Sequence, residues 1–156
     1  GAGSGDWVEK TRFIGAYVSF DASTPAYVHS TTTSDTPLNP TFTATQNNGF
    51  SLETSPNARI KYTGSEDIDV QVIFTVSAKQ SSGTEKDIQW SLFKNGVELA
   101  GSRSIRTQNN DDWGSISVFG YTGLETNDYL EIKVKADASC SIDIASAFMS
   151  IMGSAH

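Results

Sequence analysis

The chain has 156 residues and a formal charge of −7 at neutral pH, with 18 acidic against 11 basic side chains. That balance argues against a nucleic-acid or anionic-membrane surface, each of which needs basic side chains, and no apolar run approaches the about 18 residues of a membrane span. The length suits one domain that buries its own core.

The chain opens Gly1-Ala2-Gly3-Ser4-Gly5 without an initiator Met. Residues 1–20 are therefore expected to hold a linker or cloning remnant and an N-terminal segment. Trp7, Val8, Phe13, Ile14, Tyr17, Val18 and Phe20 would suit either a short amphipathic helix or an irregular edge. The domain proper is expected over 21–153, with 154–156 as a tail. From 21 to 58 the chain is rich in Thr, Ser, Asn and Pro, with a strand near Tyr27–Thr31 and loops around Pro37, Pro40 and Pro56. Proline is excluded from central strands, so edge strands and long loops fit.

The second half alternates more cleanly. Ile68, Val70, Val72, Phe74 and Val76 share one face of a long strand, with Asp69, Gln71, Thr75 and Ser77 opposite. Ile88, Trp90 and Leu92 then alternate with Gln89 and Ser91. Asn95-Gly96 predicts a tight hairpin, because both residues tolerate positive φ. Strand patterns resume at Val97–Leu99, Ser102–Thr107 and Trp113–Tyr121, and then along Leu130, Ile132, Val134 and Ala136. Turn clusters at Ser81–Thr84, Asn109–Asp112, Glu125–Asp128 and Asp137–Ser139 separate these runs. With no helical pattern of useful length, the fold class is all-β, an antiparallel sandwich or jelly roll of roughly eight strands.

The closing run, Cys140 to Met152, reads as a strand with two apolar faces. Cys140, Ile142, Ile144, Phe148 and Met152 fall on one side; Ala145, Ala147, Met149 and Ile151 follow Ser141 and Asp143 on the other. A sheet with one wet side keeps its polar alternation to the end, so the second face needs a cover. Another copy of the chain would supply it, and Met149 and Ile151 would each contribute about 1.5–3 kcal/mol on burial. Phe119, Tyr121 and Phe148 would add to such a seam. The alternative cover is the chain's own N-terminal segment, through Trp7, Phe13, Ile14 and Tyr17.

Arg59-Ile60-Lys61-Tyr62-Thr63-Gly64, Trp90-Ser91-Leu92-Phe93-Lys94-Asn95-Gly96, Gly101-Ser102 and Ile116-Ser117-Val118 occur in that order. Leu124, Asp128-Tyr129-Leu130-Glu131-Ile132 and the doubly apolar last strand complete the pattern. Over about residues 26–152 it resembles the C1q/TNF-like jelly rolls of bacteriophage and other viral structural proteins. The resemblance implies a homotrimer with its last strand near the threefold axis, mounted on the rest of a fibre, spike or capsid protein at the virion surface. Many relatives carry Gly before the Asp of the Leu124–Asp128 turn; Asn127 stands here instead, and Asn tolerates the left-handed conformation.

Catalytic chemistry finds little support. His29 sits among Ser and Thr in a strand, which predicts a surface or interface position, and the other histidine is the last residue. No metal-ligand spacing, phosphate loop or nucleophile elbow is present, so no cofactor or metal is expected. Glu66, Asp67, Asp69, Asp111 and Asp112 lie in turn-like stretches where solvated charge is the ordinary explanation, and calcium at the last two has no further ligand pattern behind it. The lone Cys140 reads as a buried, inert thiol.

Ligand-binding candidates are Asn109, Asp111, Asp112 and Trp113, where an aromatic face adjoins amide and carboxylate groups in the manner of a sugar site, together with Tyr129. The plainer reading of Trp113 is an anchor in the core. The leading functional expectation is a non-enzymatic trimeric head that attaches a virus to a host-surface ligand, a glycan among the candidates, with avidity from three sites. A capsid decoration or assembly trimer is the first alternative, and a carbohydrate-binding jelly roll of cellular origin the second.

Overall fold

In the computed structural model, residues 13–22, 27–53 and 58–155 are described. They form thirteen β-strands: β1 (Ile14–Asp21), β2 (Tyr27–Thr31), β3 (Thr36–Pro37), β4 (Thr43–Asn48), β5 (Phe50–Leu52), β6 (Ile60–Tyr62), β7 (Ile68–Gln80), β8 (Lys86–Lys94), β9 (Val97–Glu98), β10 (Ser104–Gln108), β11 (Gly114–Leu124), β12 (Tyr129–Ala136) and β13 (Cys140–Ala155). Trp7, Val8 and Pro56 lie outside the described residues. Among those residues no helix is long and apolar enough to cross a membrane.

Two antiparallel sheets face each other. The first runs β11-β7-β13-β1-β4, with β2 paired to the early part of β13; the second runs β10-β8-β12-β6-β5, with β3 against β12 and β9 against β8. Their facing rows make one core. Ile68, Val70, Val72, Phe74 and Val76 of β7 meet Ile88, Trp90 and Leu92 of β8 and Leu130, Ile132 and Val134 of β12, all essentially solvent-free. The alternation read from sequence converts directly into the inward rows, although β8 is buried on both faces, with Gln89, Ser91 and Phe93 also covered, as is Glu131 on the outer row of β12.

Turn chemistry follows the residues. Asn95 and Gly96 both take positive φ (50° and 82°) between β8 and β9, the primed geometry that matches strand twist. Asn127 adopts φ 74° in the turn before β12. Cys140 is buried and free, with its sulfur 3.0 Å from Thr31 Oγ1.

Three sequence expectations change. First, β1 is a regular internal strand between β13 and β4, neither helix nor irregular edge, and it lies beside β13 without covering it. Among the described residues the sandwich accordingly includes Ile14–Asp21 and runs on to Ala155, outside the expected limits of 21 and 153.

Second, β13 carries a β-bulge. Against β7, Ile144 pairs with Ala78 and Ser146 with Ser77, leaving Ala145 as the extra residue. The bulge exchanges faces from that point on. Cys140, Ile142 and Ile144 point inward before it; Ala147, Met149 and Ile151 point inward after it and are at most 4% exposed within one chain. Those three are therefore core residues of the protomer and not the outer seam expected of them. Ala145 itself is half-buried. Met152, expected on the inward row, turns outward instead, and so does Phe148, which shared that row but was also expected at the seam.

Third, His29 is buried, not a surface residue. It bridges the two sheets, with its Nε2 2.8 Å from Thr36 Oγ1 and its Nδ1 3.2 Å from the Tyr27 hydroxyl. Thr36 Oγ1 passes the chain on to the Val134 carbonyl.

Candidate functional site: an exposed aromatic sheet face

The outer face of the first sheet is built by register. Across β11, β7, β13 and β1, Phe119 lies opposite Ile73, Ile73 opposite Ser150, and Ser150 opposite Tyr17. One row over, Tyr121 is opposite Gln71, and Gln71 opposite Met152. Strand alternation puts these on the side away from the core, whose row on β7 is Val70, Val72 and Phe74. Tyr121 is 68% exposed, Met152 60% and Phe119 51%, with Phe13, Ile73 and Tyr17 also open. Tyr17 stacks on Phe148 with ring centroids 5.7 Å apart.

The face has two zones. Toward the bulge, Ser19, Thr75, Ser77, Ser115 and Ser146 surround Phe148 in a cavity of about 300 Å³, and Thr75 and Ser117 hydroxyls lie 3.1 Å apart. Away from it the aromatic rows take over. Of the residues expected at a seam, Phe119, Tyr121 and Phe148 lie on this face. Tyr17, Ile73 and Met152 complete it and were missed. Ile73 is an apolar residue in the polar row of β7, and that break in alternation was its signal.

The expected ligand-binding residues do not converge. Trp113 precedes β11, which starts against Ala78, whereas Tyr129 follows the turn after Leu124, which pairs with Ile68. They occupy opposite ends of the sandwich. Trp113 is 45% exposed, so it is no core anchor. Lys79 sits over its ring at 5.2 Å and also donates to Asp111 Oδ1 at 3.1 Å, which occupies one indole face. Asp111 has φ 62° and donates its N–H to the Gln80 carbonyl; the buried Gln108 amide holds the same turn through the Ala78 carbonyl. Asn109 and Asp112 close it, the Asp112 N–H reaching the Asn109 carbonyl at 3.2 Å. Tyr129 lies beneath the Arg59 guanidinium, 3.9 Å from the ring centroid. Both aromatic rings are thus already partnered by cations.

The acidic residues are also scattered. Glu66 and Asp67 are exposed turn residues beside Tyr62, whose hydroxyl donates to the Glu66 carbonyl. Burial first, then the nearby Glu66 charge, pushes the Tyr62 phenol up. Among the described residues no group of three metal-ligating side chains forms.

No protein-family model and no curated protein sequence matches the chain. Solved structures do. The Eiger TNF of S. frugiperda superposes with a TM-score of 0.57 at 14% identity, covering 92% of this chain and 93% of its own. Murine APRIL, solved at pH 8.5 and at pH 5.0, gives 0.52 at 12% identity, covering 88% of this chain and 98% of its own. The two-sheet sandwich described above is therefore a TNF-like jelly roll.

Proposed function

We propose that the protein is a non-enzymatic, homotrimeric recognition head of the viral or phage fibre type, which displays a site for a host-surface ligand on the virion surface. The observation that supports this reading is the aromatic face of the first sheet. Phe119, Tyr121, Ile73, Tyr17 and Met152 make an apolar patch, interrupted by Ser150 and Gln71, on a sheet whose other face already fills the core. A lone soluble chain gains nothing from such a patch. Each of these side chains has roughly 40–70% of its surface left to bury and gains about 1–2 kcal/mol from doing so, and several from each copy offset an association cost on the order of 4–15 kcal/mol.

The threefold count and the viral setting rest on the resemblance of the turn and strand pattern to viral C1q/TNF-like jelly rolls. The TNF-like neighbours support the fold on which that resemblance depends. Three copies would present three equivalent ligand sites, which gives avidity from weak single contacts.

Sedimentation equilibrium of the purified chain tests the assembly, with three times the mass of one chain as the expected result. A single-chain mass at micromolar concentration overturns it. Binding of labelled protein to host cells and to arrayed glycans tests the attachment role. Silence on both, from an intact trimer, replaces that role with a decoration or assembly trimer.

A further inference from the structure

We infer that the outer face of the second sheet carries a binding site for a neutral, polyhydroxylated ligand of hexose size, centred on Gln89. The inference gives the attachment reading above its ligand class and its location, and it rests on that reading for the glycan's host source.

The site is a cavity of about 360 Å³ lined chiefly by Thr33, Asp87, Gln89, Ile105, Lys135 and Asp137. The volume lies within the range of small-ligand sites. Register builds it: Gln89 of β8 pairs with Ile105 of β10 on one side and Lys135 of β12 on the other. All three project from the face opposite Ile88 and Trp90, which fill the core. Gln89 is only 9% exposed, and its Nε2 is buried without a hydrogen-bond partner. Buried donors are nearly always satisfied, so an unmet one in the wall of a cavity points to an occupant. The terminal torsion of glutamine is broad and two-fold, so a small rotation presents Nε2 to that occupant.

The other groups are already oriented. Thr107 Oγ1 donates to Asp87 Oδ1 at 2.6 Å, and the Asp87 N–H donates to Asp137 Oδ1 at 3.2 Å. Each carboxylate keeps a second oxygen with acceptor capacity. Lys135 forms no salt bridge among the described residues and brings three donors.

This lining excludes the simpler ligands. An anion would meet two carboxylates against one ammonium. A metal cation would meet that ammonium, and among the described residues no cluster of three metal-ligating side chains is present. An apolar ligand could rest on Ile105, Ala136 and the aliphatic stem of Lys135 but would leave Gln89 Nε2 and both carboxylates without partners. A vicinal diol fits: its hydroxyls donate to Asp87 and Asp137 and accept from Gln89 and Lys135, while its C–H face rests on Ile105, which is 59% exposed.

The test is a titration of isotope-labelled protein with the methyl glycosides of glucose, galactose, mannose and N-acetylglucosamine at millimolar concentration, read by amide NMR. At least one glycoside is expected to shift the Gln89 side-chain amide together with the backbone amides of Asp87 and Lys135. Lys135→Ala and Asp137→Asn are expected to weaken that binding about tenfold each, the loss of one hydrogen-bonding group, while Trp113→Ala leaves it unchanged. Shifts confined to Asn109–Trp113 would overturn this site and leave the attachment role standing. Absence of any shift with all four sugars, or binding indifferent to both cavity variants, also overturns it. The attachment role has its own separate readout in host-cell binding.

Discussion

Tyr17 on β1 and Phe148 on β13 stack across the strand pair, with ring planes inclined 22° and centroids 5.7 Å apart. They are diagonal neighbours, since Tyr17 pairs with Ser150 and Phe148 with Ser19, and diagonal aromatic contacts are within reach on a sheet. The stack stands at the border between the aromatic and the hydroxyl-lined zones of the face. It holds β1 to β13 within one chain, while Phe119 and Tyr121 on β11 stand exposed on the same face, at 51% and 68%.

That division yields the first prediction. The double substitution Phe119→Ser and Tyr121→Ser is expected to reduce the solution mass to that of a single chain. Far-ultraviolet circular dichroism is expected to stay unchanged, because both side chains lie outside the core. An assembly that survives the pair would place the contact elsewhere.

Met149 behaves in the opposite way. It is fully buried against the core, opposite Phe74, so Met149→Asp introduces an unpaired carboxylate there. The expected loss is upward of about 4 kcal/mol, and the chain is expected to unfold before it dissociates. Met149→Leu keeps the volume and is expected to cost less than about 1.5 kcal/mol. Thermal melts of the two variants check both statements.

His29 makes stability depend on pH. Burial pushes its pKa below the ordinary 6.5, so the folded state binds this proton less readily than the unfolded chain does. The neutral imidazole accepts from the Tyr27 hydroxyl, whose oxygen takes the Asn39 N–H, and donates toward Thr36; this direction is assigned from the network. The stability of the neutral form is complete above 6.5 and is lost as pH falls toward and through the lowered native value. Unfolding midpoints in urea are expected to drop across that window in the native chain. His29→Gln, which keeps an acceptor and a donor, is expected to remove the drop.

Asn127 holds a left-handed backbone at φ 74°, while its N–H donates to the Tyr62 carbonyl. Asn127→Ala is expected to destabilise by about 1 kcal/mol, and Asn127→Gly to be neutral or slightly stabilising, since only the alanine pays the steric cost there. Denaturant midpoints of the two variants distinguish this from a loss of side-chain contacts, which would weaken both alike.

Most of the architecture was legible in the residues. Period-two alternation located β7, β8, β11 and β12, because each buries one face against the opposite sheet, and the Asn95-Gly96 and Asn127 turns follow from backbone sterics alone. The candidate seam was legible only in part. Around Ala145-Ser146-Ala147 the residues are too small to reveal which side they face, so unbroken alternation was carried through the bulge and the greasy row was assigned to the wrong surface. The inward partners tell the difference: Ala147, Met149 and Ile151 match Val76, Phe74 and Val72 across the ladder. The burial of His29 depends on Thr36, which belongs to the other sheet, and local pattern carries no such information. Of the two readings offered for Trp113, the exposed one holds and the core anchor does not, and local pattern alone does not choose between them.

The single unpaired residue in β13 works as a phase switch for everything downstream of it. Pairing Ala145 into the ladder, with no residue left over, would carry strict alternation onward, turn Phe148 and Met152 toward Trp90's layer and bring Met149 and Ile151 out to solvent; deleting Ala145 would instead leave every downstream residue on its present face. A flattened bulge would thereby trade the contents of the protomer's interior for those of its outer face, whereas a one-codon deletion would not. The unpaired state of this one residue, more than the identity of its side chain, decides which row of β13 faces the core.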